Sequence, residues 1–294
     1  MDEPIDYIKR TQDYYLALGY DNPYQWAHFE DVPFAPLLKP LDKATVAIVT
    51  TAAPVQPGKA DEPPVMRYDA SAKFFQVYSG STKTMPALGI THVAIDWDHT
   101  TAEDIGTYFP LAALKEAARL KKIGQVAEKF YGLPTNRSQK TTLEIDCQDL
   151  LRRCRADGVD AVVLVPNCPV CHQSVSLAAR TLEEAGIATV IMGCARDVVE
   201  NVGVPRLLLS DFPLGNAAGR PNDRQSQQQT IEMALSLLNE AQGPRCTRQS
   251  PLVWQGPPDW KQNYSNPAFL SPDEIAQRRQ QFDKIKQVAA EKRS

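Results

Sequence analysis

Val159-Asp-Ala-Val-Val-Leu-Val-Pro166-Asn-Cys168-Pro-Val-Cys171-His172-Gln-Ser174 is the stretch on which the fold turns. Its first half is an apolar run rich in β-branched residues, the pattern of a strand covered on both faces. Pro166 ends that run, and the residues from Cys171 to Glu184 fall on helical spacing, which predicts an amphipathic helix. Beyond Gly186 comes a second apolar run, Ala188-Thr-Val-Ile-Met192, and upstream Thr141 to Arg155 reads as a helix stopped by Gly158. Helix, strand, helix and strand in close succession form the signature of βαβ units on a parallel sheet.

Working outward, Ala44-Thr-Val-Ala-Ile-Val-Thr50 repeats the buried-strand pattern, and Phe74 to Tyr78, His92 to Ile95 and Arg206 to Ser210 are further strand candidates. Helices are expected over Ile5 to Leu18, Ala112 to Tyr131 and Asn222 to Ala241. Ser271-Pro272-Asp273-Glu274 starts another, with a hydroxyl cap, proline at the first helical position and an acid three residues on. Ala52 to Tyr68, with four prolines, reads as a long loop beyond a strand's C-terminal end. The expected architecture is α/β with parallel-sheet, flavodoxin- or Rossmann-like layers in two related halves. The segments are an N-terminal helix and arm (1–43), a first α/β half (44–140), a second carrying the cysteine turn (141–243), and a proline-rich arm with a C-terminal helix (244–294).

Composition narrows the function. The chain has 294 residues, 43% of them hydrophobic, and balances 32 Lys and Arg against 35 Asp and Glu for a net charge of −3. A core of real size is available, so disorder and a disulfide-framed miniprotein are excluded. The near-neutral balance offers no grip on phosphate backbones, so no nucleic-acid partner is expected. No run of 18 apolar residues occurs, so no membrane span is expected either. Acidic residues stand where a signal peptide would carry lysines, which points to the cytoplasm. All six cysteines, Cys147, Cys154, Cys168, Cys171, Cys194 and Cys246, fall from the midpoint of the chain onward. In a reducing compartment that clustering suggests chemistry rather than stapling.

The cysteine turn sits where a buried strand ends and a helix begins, the edge at which open α/β sheets place ligands. Unpaired amides and the positive end of the helix dipole favour a thiolate there. Cys168 is expected to be the exposed nucleophile, and Cys171, one helical turn in, the resolving thiol that closes a disulfide. His172 adjoins the pair and is counted with the proton-handling groups. Other readings of the motif are c-type haem attachment, a zinc site, a thioredoxin-like module and two structural buried cysteines. Haem attachment needs export, and zinc would want a second pair of compatible spacing.

A second cluster, Thr91-His92-Val-Ala-Ile-Asp96-Trp-Asp98-His99, brings His92, Asp96 and His99 together as acid and base groups, as metal ligands, or as a hydrogen-bonded turn. After the strand at Ile191, Arg196 is a candidate for a substrate carboxylate. Asp211 and Asn216 follow another strand and are candidate pocket residues. The spacings Gly-x-Gly, Gly-x-Ser-x-Gly and His-Glu-x-x-His are absent from the sequence, so no tightly bound nicotinamide or nucleotide is expected. A metal at the histidines or cysteines stays open.

Several segments together resemble the selenoprotein B family of glycine, sarcosine, betaine and D-proline reductases, and within it most the branch of small D-proline reductase subunits. They are Pro33-Phe34-Ala-Pro36-Leu-Leu-Lys-Pro40, Val46-Ala-Ile-Val-Thr-Thr51, Thr91-His92 with Asp96, Phe109-Pro-Leu111, Gly158-Val-Asp-Ala161, the turn Cys168 to Ser174, and Asp211-Phe-Pro-Leu-Gly-Asn216. The resemblance spans roughly Val32 to Ala241. It implies that Cys168 stands at the family's selenocysteine position. The chemistry it implies is reductive cleavage of a carbon–heteroatom bond in a small, amino-acid-like substrate, with an external thioredoxin-like dithiol restoring the pair. It also implies a pyruvoyl-bearing partner subunit, and the arm beyond Pro244 is a candidate for assembly into a homo-oligomer. The alternatives are a redox-sensing or scaffold subunit of a reductase complex, a racemase-like enzyme and a metal-dependent thiol enzyme. The racemase reading wants a second cysteine where the first half has Thr50-Thr51-Ala52.

Overall fold

In the computed structural model, which describes residues 3–55 and 74–291, Asp6 caps the first helix, α1 (Tyr7–Ala17), by accepting the Lys9 amide at 2.8 Å. Gly19, at φ +78°, turns the chain out of that helix into a proline-punctuated arm. The arm leads to β1 (Thr45–Thr50), buried at every residue but its first. The short strands β2 (Ala53–Pro54), β3 (Tyr78–Ser81) and β4 (Leu88–Gly89) follow, then α2 (Leu111–Arg119), β5 (Gln125–Val126) and β6 (Lys129–Gly132). A helical run comprises α3 (Gln139–Thr141), a π-helical stretch Thr142–Asp146 and α4 (Cys147–Ala156). The expected alternation comes next: β7 (Ala161–Val165), α5 (Pro169–Glu184), β8 (Ala188–Gly193), α6 (Arg196–Val202), β9 (Arg206–Leu209), α7 (Arg224–Glu240) and β10 (Cys246–Gln249). The chain finishes with α8 (Trp260–Asn263) and α9 (Pro272–Glu291).

Eight of the strands form one mixed sheet in the order β10-β9-β8-β7-β1-β6-β3, with β5 also on β1, and β2 and β4 pair antiparallel apart from it. Every pairing in it is parallel except β3 on β6. The stretches 44–140 and 141–243 therefore share a sheet, joined along β1 and β7 from Val46 beside Ala161 to Thr50 beside Val165. None of the described helices is long and apolar enough to cross a membrane.

Three expectations change. The helix predicted over 112–131 stops at Arg119, and its second half is two strands. Lys121 takes φ +56°, and a Cβ on Gly124 would stand 2.5 Å from the Lys43 carbonyl carbon, so the chain there passes tight against the entry to β1. The strand expected at Phe74–Tyr78 begins where that stretch ends, at Tyr78. His92 to Ile95 is no strand but a turn, held by the Trp97 indole donating to the His92 carbonyl at 3.0 Å. Most of the loop expected over Ala52–Tyr68 lies outside the described residues.

Helix α5 is less amphipathic than its spacing predicted, because it is buried along its length except at Val170 and Glu184. Three of its polar residues face the N-terminal arm. Gln173 accepts the Ala27 amide at 2.7 Å, Arg180 donates to the Asp31 carbonyl at 2.8 Å, and Glu183 accepts the Ala35 amide at 2.5 Å. Buried polar groups are tolerated when each finds such a partner.

Candidate active site

The cysteine turn is built from both sheet halves. Just past β7 the Asn167 amide donates to Thr51 Oγ1, at the end of β1, at 3.1 Å. Cys168 then takes the extended conformation of a helix cap, Pro169 occupies the first turn, and the Cys171 amide donates to Cys168 Sγ at 3.2 Å. A sulfur thus stands where serine or aspartate usually caps a helix, facing the positive end of its dipole.

His172 fixes this turn. Burial pushes its imidazole down to about 4, so it is neutral. Its Nδ1–H donates to the Cys168 carbonyl at 2.8 Å, and Nε2 accepts the amides of Cys194 at 2.9 Å and Ala195 at 3.2 Å. With both nitrogens engaged behind the turn, His172 positions Cys168 rather than moving protons. A Cβ on Gly193 would lie 3.0 Å from the ring, which accounts for glycine at that position.

His172→Asn is therefore expected to cost about 1–3 kcal/mol at pH 7, the price of an ill-paired buried amide. The folded pKa of His172 lies near 4, below its ordinary 6.5. Its contribution is therefore complete above about pH 6.5 and shrinks as pH falls toward 4, by about 3 kcal/mol in all. Burial raises Asp197 to about 7 and Asp146 to about 6. Those carboxyls favour the folded state most at low pH, the opposite sense. Urea midpoints of wild type and variant should converge as pH falls; a gap constant from pH 7 to 4 would contradict the assignment.

In front of the turn lies a cavity of about 450 Å³. Cys168 lines it, and Cys171, fully buried, stands behind. Tyr14 and Tyr15 of α1, Phe282 of α9, Tyr264 and the 91–98 turn supply further walls. The expectation of an exposed Cys168 is corrected, since only 4% of it is accessible. It reaches solvent through the cavity, under the cover of α1 and α9.

Of the second cluster, His92 joins the thiols. Its Nε2 shares a proton with Thr135 Oγ1 at 2.9 Å, and that hydroxyl lies 3.2 Å from Cys171 Sγ. A donor atom of His92 and both sulfurs lie within 4.8 Å of one another, and His92 Nδ1 is buried without a hydrogen-bond partner. Two sulfurs and an imidazole with an open side are a donor set that would suit zinc. Burial pushes both thiols up, but the Cys168 thiol, His92 and Thr135 together pull Cys171 well below the ordinary range. Burial and Cys171 leave Cys168 well above it. Within the pair Cys171 is therefore the more acidic thiol.

Asp96 lines the cavity and is raised by burial, with His99 countering at 2.8 Å. The other predicted residues are occupied elsewhere. Arg196 pairs with Glu3 at 3.2 Å, Asp211 with Lys261 at 2.5 Å, and buried Asn216 bonds Thr100 and the Pro213 carbonyl. None of the three lines the cavity. Cys147 and Cys154 are buried on α4, and burial pushes both to about 12. Thr135 and Arg137, both at the cavity, were not anticipated. They follow β6, a strand concealed within the predicted helix.

These features define an α/β protein with a vicinal thiol pair at the C-terminal edge of a mostly parallel sheet. Residues 17–167 match the family model described as glycine/sarcosine/betaine reductase selenoprotein B, and the chain belongs to that family. The match stops one residue short of Cys168. The chain is 29% identical over 211 residues to the D-proline reductase subunit gamma of Acetoanaerobium sticklandii, covering 70% of this chain and 83% of that one. It is 26% identical over 221 residues to the glycine reductase complex component B subunit gamma of Carboxydothermus hydrogenoformans, covering 73% of this chain and 50% of the relative. With the betaine reductase complex component B subunit beta of Peptoclostridium acidaminophilum it shares 27% over 197 residues, 63% of this chain and 43% of that one. It thus spans most of the proline-reductase subunit and about half of the others. No solved structure matches significantly.

Proposed function

We propose that the chain is a thiol-dependent reductase subunit that cleaves a carbon–heteroatom bond of a small, amino-acid-like molecule, with Cys168 as nucleophile and Cys171 as resolving thiol. The observation that carries this reading is the placement of the pair: Cys168 on the cavity at a helix cap, with Cys171, the more acidic thiol, directly behind it. The Cys171 thiolate takes the Cys168 proton as Cys168 sulfur attacks the carbon and the heteroatom leaves with the bonding pair, collecting that proton. Cys171 sulfur, again a thiolate, attacks Cys168 sulfur. The carbon departs with the electron pair of its C–S bond and is protonated from water. The pair ends as a disulfide, oxidised by the two electrons that the substrate gains.

Such a carbon must be activated by an adjacent carbonyl or iminium group to leave as a carbanion. The relatives are named as subunits or components of reductase complexes, which supports a partner subunit; the pyruvoyl-bearing partner that the family resemblance implies would supply that activation. An external dithiol of thioredoxin type regenerates the pair. Thiol labelling before and after addition of D-proline, glycine, sarcosine or betaine, with the partner subunit where one is found, tests the reading. Cys168 and Cys171 should be lost to the alkylator together and recovered with dithiothreitol. Unchanged labelling with every substrate would remove the reductase reading.

A further inference from the structure

We propose that Arg137 is a carboxylate-binding residue of the Cys168 cavity, so that the molecule attacked there carries a carboxylate held beside the reacting sulfur. The proposal rests on the reading of Cys168 as nucleophile and adds the group by which this chain recognises its substrate.

Arg137 lies in the loop between β6 and α3 and lines the same cavity as Cys168. Its guanidinium carbon sits 5.7 Å from the centre of the Tyr15 ring and 5.3 Å from that of Phe282, between α1 and α9. One Nη2–H donates to Tyr15 Oη at 3.3 Å, and the Arg137 carbonyl accepts the Tyr24 hydroxyl at 3.4 Å. The head is therefore held against two rings while most of its five donors stay available. A guanidinium fixed on ring faces loses little freedom when it grips a planar anion in two parallel hydrogen bonds.

Among the described residues no carboxylate forms an ion pair with Arg137. Arg119, Arg153, Arg180, Arg206, Arg220 and Arg248 all have one. Three acids share the cavity, and none of them forms an ion pair with Arg137: Asp96 bonds His99, Glu274 accepts the amide and hydroxyl of Ser271, and Asp98 is exposed. Arg196, the sequence-based candidate for this role, is paired with Glu3 away from the cavity. Arg137 is itself exposed, so its free donors are open to an entering anion. A cation that lines the cavity of the reacting sulfur and has no carboxylate partner among the described residues has the properties of a substrate anchor.

Two small alkylators that differ only in charge test this without knowledge of the substrate. Iodoacetate carries a carboxylate, iodoacetamide does not, and in each case the thiolate displaces iodide. The probe is the rate of Cys168 labelling in the reduced full-length protein, read by peptide mass spectrometry, with half-buried Cys246 as internal reference. An unassisted thiolate repels the anionic reagent, so Cys246 should favour iodoacetamide. Cys168 should favour iodoacetate by about tenfold or more, with a rate that saturates in reagent concentration. Arg137→Gln should reverse the preference. Arg137→Lys should keep part of it but lose saturation, because an ammonium is not a planar fork. Equal or faster labelling by iodoacetamide in the wild type, or an iodoacetate preference surviving in the folded Arg137→Gln protein, overturns the anchor and leaves the dithiol reading intact. Absence of Cys168 labelling by either reagent overturns both.

Discussion

Cys168→Ser is expected to abolish thiol–disulfide chemistry at this site, whereas Cys171→Ser stops it halfway. With oxidised glutathione as a generic electrophile, Cys168 sulfur attacks the disulfide and releases one glutathione. Cys171 then displaces the second and leaves an internal disulfide. Wild type should release two glutathiones per chain and gain the Cys168–Cys171 bond. Cys171→Ser should release one and accumulate a mixed disulfide on Cys168, and Cys168→Ser should react slower by roughly 10³-fold or more, as expected when a nucleophile that works as a unit with its base is lost. The asymmetry follows from position: Cys168 lines the cavity and Cys171 does not. A mixed disulfide forming on Cys171 in the Cys168→Ser protein, at the wild-type rate, would reverse the assigned roles. Thr135→Val should slow the same reaction without stopping it, since that hydroxyl at 3.2 Å is one of the groups holding Cys171 acidic.

The parts of this site that could be read from sequence are those carried by local pattern. The runs at 45–50, 161–165 and 188–193 are apolar and β-branched, and buried central strands have to be so. The proline-flanked Cys168 is conspicuous because a turn there cannot be core strand. What escaped was set by distant contact. Leu114, Ala117, Leu120, Ile123 and Val126 satisfy a helical period, yet Ile123 and Val126 belong to a turn and a strand beside β1. That misreading concealed the end of β6, and with it Thr135 and Arg137, which lie at the same sheet edge as Cys168. His92, Ala94 and Asp96 alternate as a strand would, but Ile95, Asp96 and Trp97 are all buried in succession, a pattern that two-residue alternation cannot describe. Arg196 was placed correctly after its strand; Glu3, nearly two hundred residues away, occupies it.

The proline-rich arm ahead of β1 read only as an extended connection, yet it bears on the largest expected loss of stability. Glu183 and Arg206 form an ion pair at 2.9 Å with side chains 0% and 1% exposed. Glu183 also accepts the amides of Ala35 and Thr189, both at 2.5 Å, and Arg206 donates to the Ala35 carbonyl at 2.8 Å beneath the Phe34 ring. Pro33-Phe34-Ala35-Pro36 is thus clamped to the last turn of α5, the helix whose first turn presents Cys168. Burial raises Glu183 even with Arg206 beside it, so desolvation outweighs the attraction and the pair is costly to break rather than strongly stabilising. Arg206→Met should therefore cost about 3–5 kcal/mol at pH 7, because it strands a buried carboxylate. The double variant Glu183→Gln with Arg206→Met should recover a large part of that loss. Without Arg206 the folded-state pKa of Glu183 rises further above its unfolded value, so the deficit of Arg206→Met should narrow as the pH falls and the carboxyl takes up a proton. Urea unfolding of the three proteins at pH 7 and pH 5 decides it. An Arg206→Met deficit under about 1 kcal/mol, or one that widens in acid, would mean that the arm is held by its prolines and Phe34 rather than by the charge pair.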